Sequence, residues 1–433
     1  MSELSHAEAV EVLQHLVRIN TVNPPGNERP AQEYLAGVLD AAGFETTMVG
    51  QEPERPNLVA RLRGRADGPV LGLLSHVDTV GADPAGWRHD PWSGALDGGH
   101  VWGRGAIDMK SQTAAEVVAA CSLAREGWRP ARGDLLVISV SDEEEDGTGA
   151  EYVTAEHPDL VRCDYLLNEG GGESFSVGDE RFYGVCVGEK GVFRATLTAD
   201  GVPGHASVPS VADNALLKLA PLLEALGERQ PGWDVTPAGG ALLAALGLEA
   251  DGDPAGAVAA LRERAPGMAA EVEAMLRVTL APTMVDASDQ MNVIPAAARL
   301  HVDVRVPPGM EEPTVAERVR GVLGDSEYRL EFTDGVVGNS SQPESPLRDA
   351  LARWVERTEP GARCLPTIST GYSDSRTFRA AFPDCVAYGF FPTRHMTVEQ
   401  LGALVHGRDE RIDVRDLALA VDCYRDVAIE LLG

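Results

Sequence analysis

Val70-Leu-Gly-Leu-Leu-Ser-His-Val-Asp78 decides how the rest of the chain is read. An apolar run ends abruptly in a histidine and, two residues on, an aspartate. A strand buried on both faces in the middle of a parallel sheet has this composition. Ligands of open α/β sheets sit just beyond the carboxyl ends of such strands, where His76 and Asp78 fall. At a spacing of two their side chains project from the same side, so one can orient the other. A metal-binding histidine with a supporting carboxylate is built this way. So is a capped strand with a surface His and Asp.

Other apolar runs end in acids. Asp134–Ser141 runs directly into Asp142-Glu-Glu-Glu-Asp146, and Asp164–Asn168 ends in Glu169 and Gly170-Gly-Gly172. Acidic runs are usually solvated loops, and the end of a central strand is a less usual place for one. If the three strands are neighbours, their ends converge. Two carboxylates about 4 Å apart repel by roughly 4 kcal/mol at an effective dielectric near 20, so several together call for protons or cations. A histidine at the same place favours a bound metal. Asp108 closes the Gly-rich turn Val101-Trp-Gly-Arg-Gly-Ala-Ile-Asp108, just before a helix expected over Ser111–Arg125. It is either a ligand or an acid favoured by the helix dipole.

Outward from these strands, Ser5-x-x-Glu8 reads as a capping box heading a helix to Arg18. Asn23-Pro-Pro-Gly-Asn-Glu28 is a turn. Ala31, Tyr34, Leu35, Val38 and Leu39 line one face of a second helix ending near Gly43, and Asn57–Arg63 reads as a strand. From Gly191 the pattern changes. Phe193, Ala195, Leu197 and Ala199 alternate with polar residues, as do Leu300, Val302, Val304 and Val306, and then Tyr328, Leu330 and Phe332. These are strands with one wet face, with helices expected near 213–226 and 314–323. They predict an α+β domain over 191–335, inserted between residues 1–190 and 336–433 of the first domain. The stretch 237–276 reads as extra helices with loose linkers.

A chain of 433 residues exceeds one core, and a 44% hydrophobic share is ordinary for a globular protein. No run of ~18 apolar residues predicts a membrane span, and the acidic start does not read as a secretory signal. The six cysteines form no C-x-x-C pair, which suits a reduced, cytoplasmic setting. A formal charge of −30 argues against nucleic-acid or anionic-membrane partners. There is no G-x-S-x-G elbow and no P-loop.

With these pieces in place, the chain resembles the dinuclear zinc peptidases and deacylases that include acetylornithine deacetylase, succinyl-diaminopimelate desuccinylase, aminoacylase and glutamate carboxypeptidase. The matching pieces are Ser75-His-Val-Asp78, Gly103–Lys110, Ser141-Asp-Glu-Glu144, Asn168-Glu-Gly-Gly171, Gly204–Pro209, Asn292-Val-Ile-Pro295, Val302-Asp-Val-Arg305 and His406-Gly-Arg-Asp-Glu410, in family order. The resemblance implies a mainly parallel α/β/α metallopeptidase catalytic domain with an inserted α+β, ferredoxin-like lid and dimerisation domain. It implies two divalent metal ions, most readily zinc, with cobalt or manganese as alternatives. Asp108 would bridge them. His76 and Glu169 would complete one site, and Glu144 and His406 the other. Asp78 would fix the His76 tautomer and Glu143 would be the general base, leaving Glu145 to solvent.

His406 is preferred to His395 because of the Gly-Arg-Asp-Glu that follows it. His205 would reach across a homodimer interface to the tetrahedral intermediate, while Asn292 and Arg305 would hold a substrate carboxylate. The implied activity is hydrolysis of an amide bond in an N-acyl amino acid or small peptide. A non-catalytic metal-binding homologue on the same scaffold would have lost a ligand or the base, and none is missing. Tyr372 stands where the family often has Gly or Thr, on the substrate side.

Overall fold

The computed structural model describes residues 3–248 and 252–433. It divides into two compact units, one of Met1–Val187, Ser341–Thr367 and Ser373–Gly433, the other of Gly188–Ser340 and Ile368–Tyr372.

The first unit is built on a nine-stranded mixed sheet. Its centre is the strand Val70–His76, paired in parallel with Asp134–Val140 on one side and Tyr165–Asn168 on the other. Val386–Gly389 continues the parallel array beyond Tyr165–Asn168. The three runs ending in acids are therefore neighbours, the condition under which their acidic ends converge. Antiparallel strands close both flanks, including Asn57–Arg63 against Asp134–Val140 and Glu180–Glu189 against Val386–Gly389. The central strands are buried almost throughout, which explains their apolar runs.

Helices cover this sheet. Lys110–Arg125 is buried along nearly its whole length, a consequence of its Ala- and Val-rich sequence. Glu3–Arg18, Arg29–Ala41 and Val414–Leu432 pack with it. The first helix is already under way at Glu3, so Ser5 lies inside it and does not cap it.

The second unit holds a four-stranded antiparallel sheet in the order Thr279–Asp286, Ala297–Val306, Gly191–Asp200, Arg329–Val336. Alternate residues of Ala297–Val306 are buried, and Leu300, Val302 and Val304 share a core with Leu222, Val315 and Val319 of the helices. The edge strand Thr279–Asp286 was not expected from the sequence. Pro282 interrupts it at a register shift, and most of it is exposed, so no apolar alternation marks it. Pro237–Ala245, Pro254–Arg264 and Pro266–Met275 are the extra helices, each opened by a proline. Residues 249–251 of that stretch lie outside the description. The buried Lys190 ammonium donates to Ala274 O at 2.5 Å and Arg277 O at 2.8 Å, which ties down the end of the last of these helices.

All six cysteines are free and buried. Among the described residues, no helix is long and apolar enough to cross a membrane.

Candidate metal centre

The structure brings His76, Glu144 and His406 together around Asp108, and Glu143 and Glu169 together beside His76. His76 Nε2 lies 3.2 Å from Asp108 Oδ1. His406 Nε2 lies 3.2 Å from Asp108 Oδ2 and 3.1 Å from Glu144 Oε2. One carboxylate thus shows each of its oxygens to a different imidazole. Donor atoms of His76, Asp108 and Glu144 lie within 4.8 Å of one another, and so do those of His76, Glu143 and Glu169. Glu143 Oε2 is set back 3.9 Å from His76 Nε2. Imidazole nitrogen with carboxylate oxygen is a donor set suited to zinc and similar divalent ions.

Most of these residues are held from behind. Asp78 is fully buried, with Oδ1 3.4 Å from His76 Nδ1. The same carboxylate accepts the backbone N–H groups of Glu143 at 3.2 Å and Glu144 at 3.1 Å. It therefore orients the imidazole and the acidic turn together. Asn23 donates to Asp78 at 3.0 Å and to Asp142 at 2.8 Å, and Arg55 joins Asp142 to the buried Glu28. Asn23 belongs to what the sequence shows only as a turn.

The turn that carries Asp108 is fixed by Glu410. This buried carboxylate accepts backbone N–H groups from Gly105 at 3.1 Å, Ile107 at 2.7 Å and Asp108 at 3.1 Å. It also pairs with the buried Arg104 at 2.6 Å, and Arg104 in turn donates to the carbonyls of His406 and Gly407. Arg104 and Glu410 thus link the Asp108 turn to the His406 loop. Both belong to quoted motifs, yet nothing in their spacing assigns them this task. Asp374 was also missed; it is buried, and its charge reaches Glu143 and Glu169.

The electrostatics follow from crowding. Burial, with the Asp108 charge next, pushes Glu169 up to about 8. Burial and the Glu169 charge push Glu143 well up. Hydrogen bonds to Asp108 and Glu144 carry His406 up to about 10. Burial opposes the charge on His76, but Asp108 and Asp78 outweigh it and raise this imidazole too. Carboxyls that retain protons beside imidazoles that retain theirs mark an excess of negative charge, which divalent cations would neutralise.

Glu145 is exposed, and so is His395, whose backbone N–H donates to Asp416. In the second unit His205 is exposed on the short strand Gly204–His205, paired with Val293–Ile294. Its Nδ1 accepts from the Ser207 backbone N–H at 3.2 Å, which leaves the ring hydrogen on Nε2. Asn292 is adjacent, its carbonyl accepting from Ala206 N at 3.0 Å. Arg305 lies at the far end of the strand Ala297–Val306, bonded to Asp303 at 2.7 Å.

This fold and this centre define a metal-dependent hydrolytic enzyme. Residues 72–430 match the family model of peptidase family M20/M25/M40, and the chain belongs to that family. It is 29% identical over 423 residues to succinyl-diaminopimelate desuccinylase of Cereibacter sphaeroides, covering 95% of each chain. It is 31% identical over 430 residues to succinyl-diaminopimelate desuccinylase of Methylobacterium, covering 96% of this chain and 93% of the relative. Among solved structures, an M20 family metallo-carboxypeptidase from Sulfolobus solfataricus superposes with a TM-score of 0.71 at 17% identity, covering 100% and 99% of the two chains. A Bacillus subtilis protein described as a dinuclear metal binding peptidase from the M20 family superposes with a TM-score of 0.62 at 16% identity, covering 100% and 99%.

Proposed function

We propose that the protein hydrolyses the amide bond of an N-acyl amino acid, or of a small peptide, bearing a free carboxylate. The observation that carries this is the bridging posture of Asp108 between His76 and His406, both 3.2 Å away. In this reading His76, Asp108 and Glu169 hold one divalent ion, and Asp108, Glu144 and His406 hold the other, with zinc the favoured metal. Two such cations would supply an acidified water and a polarised scissile carbonyl.

Glu143 is the general base, taking the proton of the attacking water and returning it to the leaving amine. Its setback from His76 leaves room for that water. Asp78 keeps the His76 ring in one tautomer. The relatives named succinyl-diaminopimelate desuccinylase favour an acyl-amino acid over a long peptide. A reduced, cytoplasmic setting suits six buried thiols.

His205 donates through Nε2 to the oxyanion, and Asn292 and Arg305 hold the carboxylate. Eight steps along the strand lead from Ala297, at the His205–Asn292 end, to Arg305, roughly 26 Å at 3.3 Å per residue. One small substrate does not span that distance, so the two groups act on the same molecule only if one of them comes from a second copy of the chain. The homodimer reading rests on this separation. It is supported by exposed Val211, Leu217, Met284 and Met291 in the second unit, several of them on its edge strand or beside His205.

The test is hydrolysis of an N-acyl amino acid and dipeptide panel by protein loaded with zinc or cobalt. Chelator-sensitive turnover that is lost in Glu143→Ala is expected. No turnover across the panel by fully metallated protein would leave only a metal-binding homologue.

A further inference from the structure

Behind the metal centre, on the other face of the central strands, the first unit buries a second polar cluster. Ser75 and Ser139 are register partners on adjacent parallel strands, so their side chains share a face. The helix Lys110–Arg125 lies over these strands and contributes Gln112 and Glu116, and Arg29–Ala41 contributes Gln32. All five residues are at most 2% exposed.

Hydrogen bonds within the protein satisfy only part of this cluster. Gln112 Nε2 donates to Glu116 Oε1 at 2.9 Å, and Gln32 Nε2 donates to the Ser139 carbonyl at 3.1 Å. Four buried oxygens remain without a hydrogen-bond partner: Glu116 Oε2, Gln32 Oε1, Ser75 Oγ and Ser139 Oγ. Ser75 Oγ lies beside the Glu116 carboxyl but makes no well-formed hydrogen bond to it. No Lys, Arg or His among the described residues is paired with Glu116.

Two of these oxygens, on Gln32 and on an ionised Glu116, can only accept. A proton on Glu116 shared with Ser75 Oγ does not complete the cluster, because it leaves Gln32 Oε1 and Ser139 Oγ without partners. A water would supply donors but leave the buried charge uncompensated. A small cation satisfies both. A single carboxylate among neutral oxygens matches a single positive charge, whereas divalent sites in proteins usually gather more carboxylates.

We propose that Glu116, Ser75, Ser139 and Gln32 form a binding site for a monovalent alkali cation, separate from the metal centre and structural in effect. The bound ion ties the helix that follows Asp108 to the strands that lead into His76 and Glu143. With nothing bound, burial drives the Glu116 carboxyl well above its usual range; the ion reverses that preference.

The test uses the metal-loaded protein, unfolded thermally in sodium, potassium and choline chloride at matched ionic strength. The wild type is expected to melt about 2 °C higher in at least one alkali salt than in choline, as for a site near saturation in a large domain. Glu116→Gln is expected to melt at the same temperature in all three. Identical midpoints for the wild type, or a difference that survives in Glu116→Gln, overturns the proposal. If that variant does not fold, wild-type crystals soaked in thallium acetate decide the matter. An anomalous peak among Glu116 Oε2, Ser75 Oγ, Ser139 Oγ and Gln32 Oε1 supports the site, and its absence, or an acid carbonyl stretch assigned to protonated Glu116, overturns it.

Discussion

Arg104 Nη1 and Glu410 Oε2 meet at 2.6 Å with both side chains buried, and between them they hold two loops of the candidate metal centre in place. Glu410 takes the backbone N–H groups that lead to Asp108, and Arg104 takes the carbonyl of His406. Removing one member of such a pair leaves the other charge buried and unpaired, at a cost of about 3–5 kcal/mol. Arg104→Met is therefore expected to lower the thermal midpoint sharply and to weaken metal binding about 10–100-fold, as loss of support behind metal ligands does. Calorimetric titration of the apo variant with zinc checks this, and wild-type affinity would refute it.

Glu143→Gln keeps the size of the side chain and removes its basicity. Turnover is expected to fall by about 10²–10⁴-fold, with metal content unchanged. Elemental analysis beside the rate measurement separates the base role from a ligand role, since a lost ligand would lower the metal content as well.

Asp78→Asn retains a side chain that can still face His76 but weakens acceptance from Glu143 N and Glu144 N. Metal affinity is expected to fall about 10–100-fold, with a smaller effect on global stability. Competition with a chromophoric chelator reads the affinity directly.

Stability of the metal-free protein is expected to fall as pH rises. Glu169 is raised from 4.5 to about 8 in the folded chain, so between those values the folded state holds a proton that the unfolded state has lost. His406 is raised from 6.5 to about 10, so its stabilising contribution is complete below 6.5 and disappears as pH climbs toward 10. Both groups act in the same direction. Zinc replaces the protons, so the midpoint gained on adding zinc is expected to be larger at pH 8 than at pH 6. Thermal scans of chelator-treated protein across this range test the sign.

Lys190→Met leaves the carbonyls of Ala274 and Arg277 without their donor. An unpaired buried acceptor costs about 1–3 kcal/mol, offset in part because a buried ammonium is no longer needed. Faster amide exchange over Pro266–Met275, with the first unit unchanged, is the expected signature.

Much of the candidate metal centre was legible in the chain because its residues end apolar runs. His76, Glu143, Glu144 and Glu169 end or follow strands whose apolar runs mark them as central, and the structure makes those strands neighbours. Asp108 and His406 needed the family resemblance, since neither follows a strand of that kind. The supporting residues were not legible. Arg104 and Glu410 are 306 residues apart in sequence, and no local pattern announces a pair that forms only on folding. Asn23 sits in a Pro-Pro-Gly turn whose composition explains itself without any contact to Asp78. The strand Thr279–Asp286 escaped because an exposed edge strand carries no alternation to detect. Glu116 was hidden within an Ala- and Val-rich helix, and its polar neighbours come from three other elements.

The most direct measurement is anomalous diffraction at the zinc edge from crystals of the zinc-loaded protein. The account predicts two zinc peaks flanking Asp108, one bound by His76 and Glu169 and the other by Glu144 and His406. A single ion that does not touch Asp108, or zinc bound only elsewhere on the chain, would contradict it.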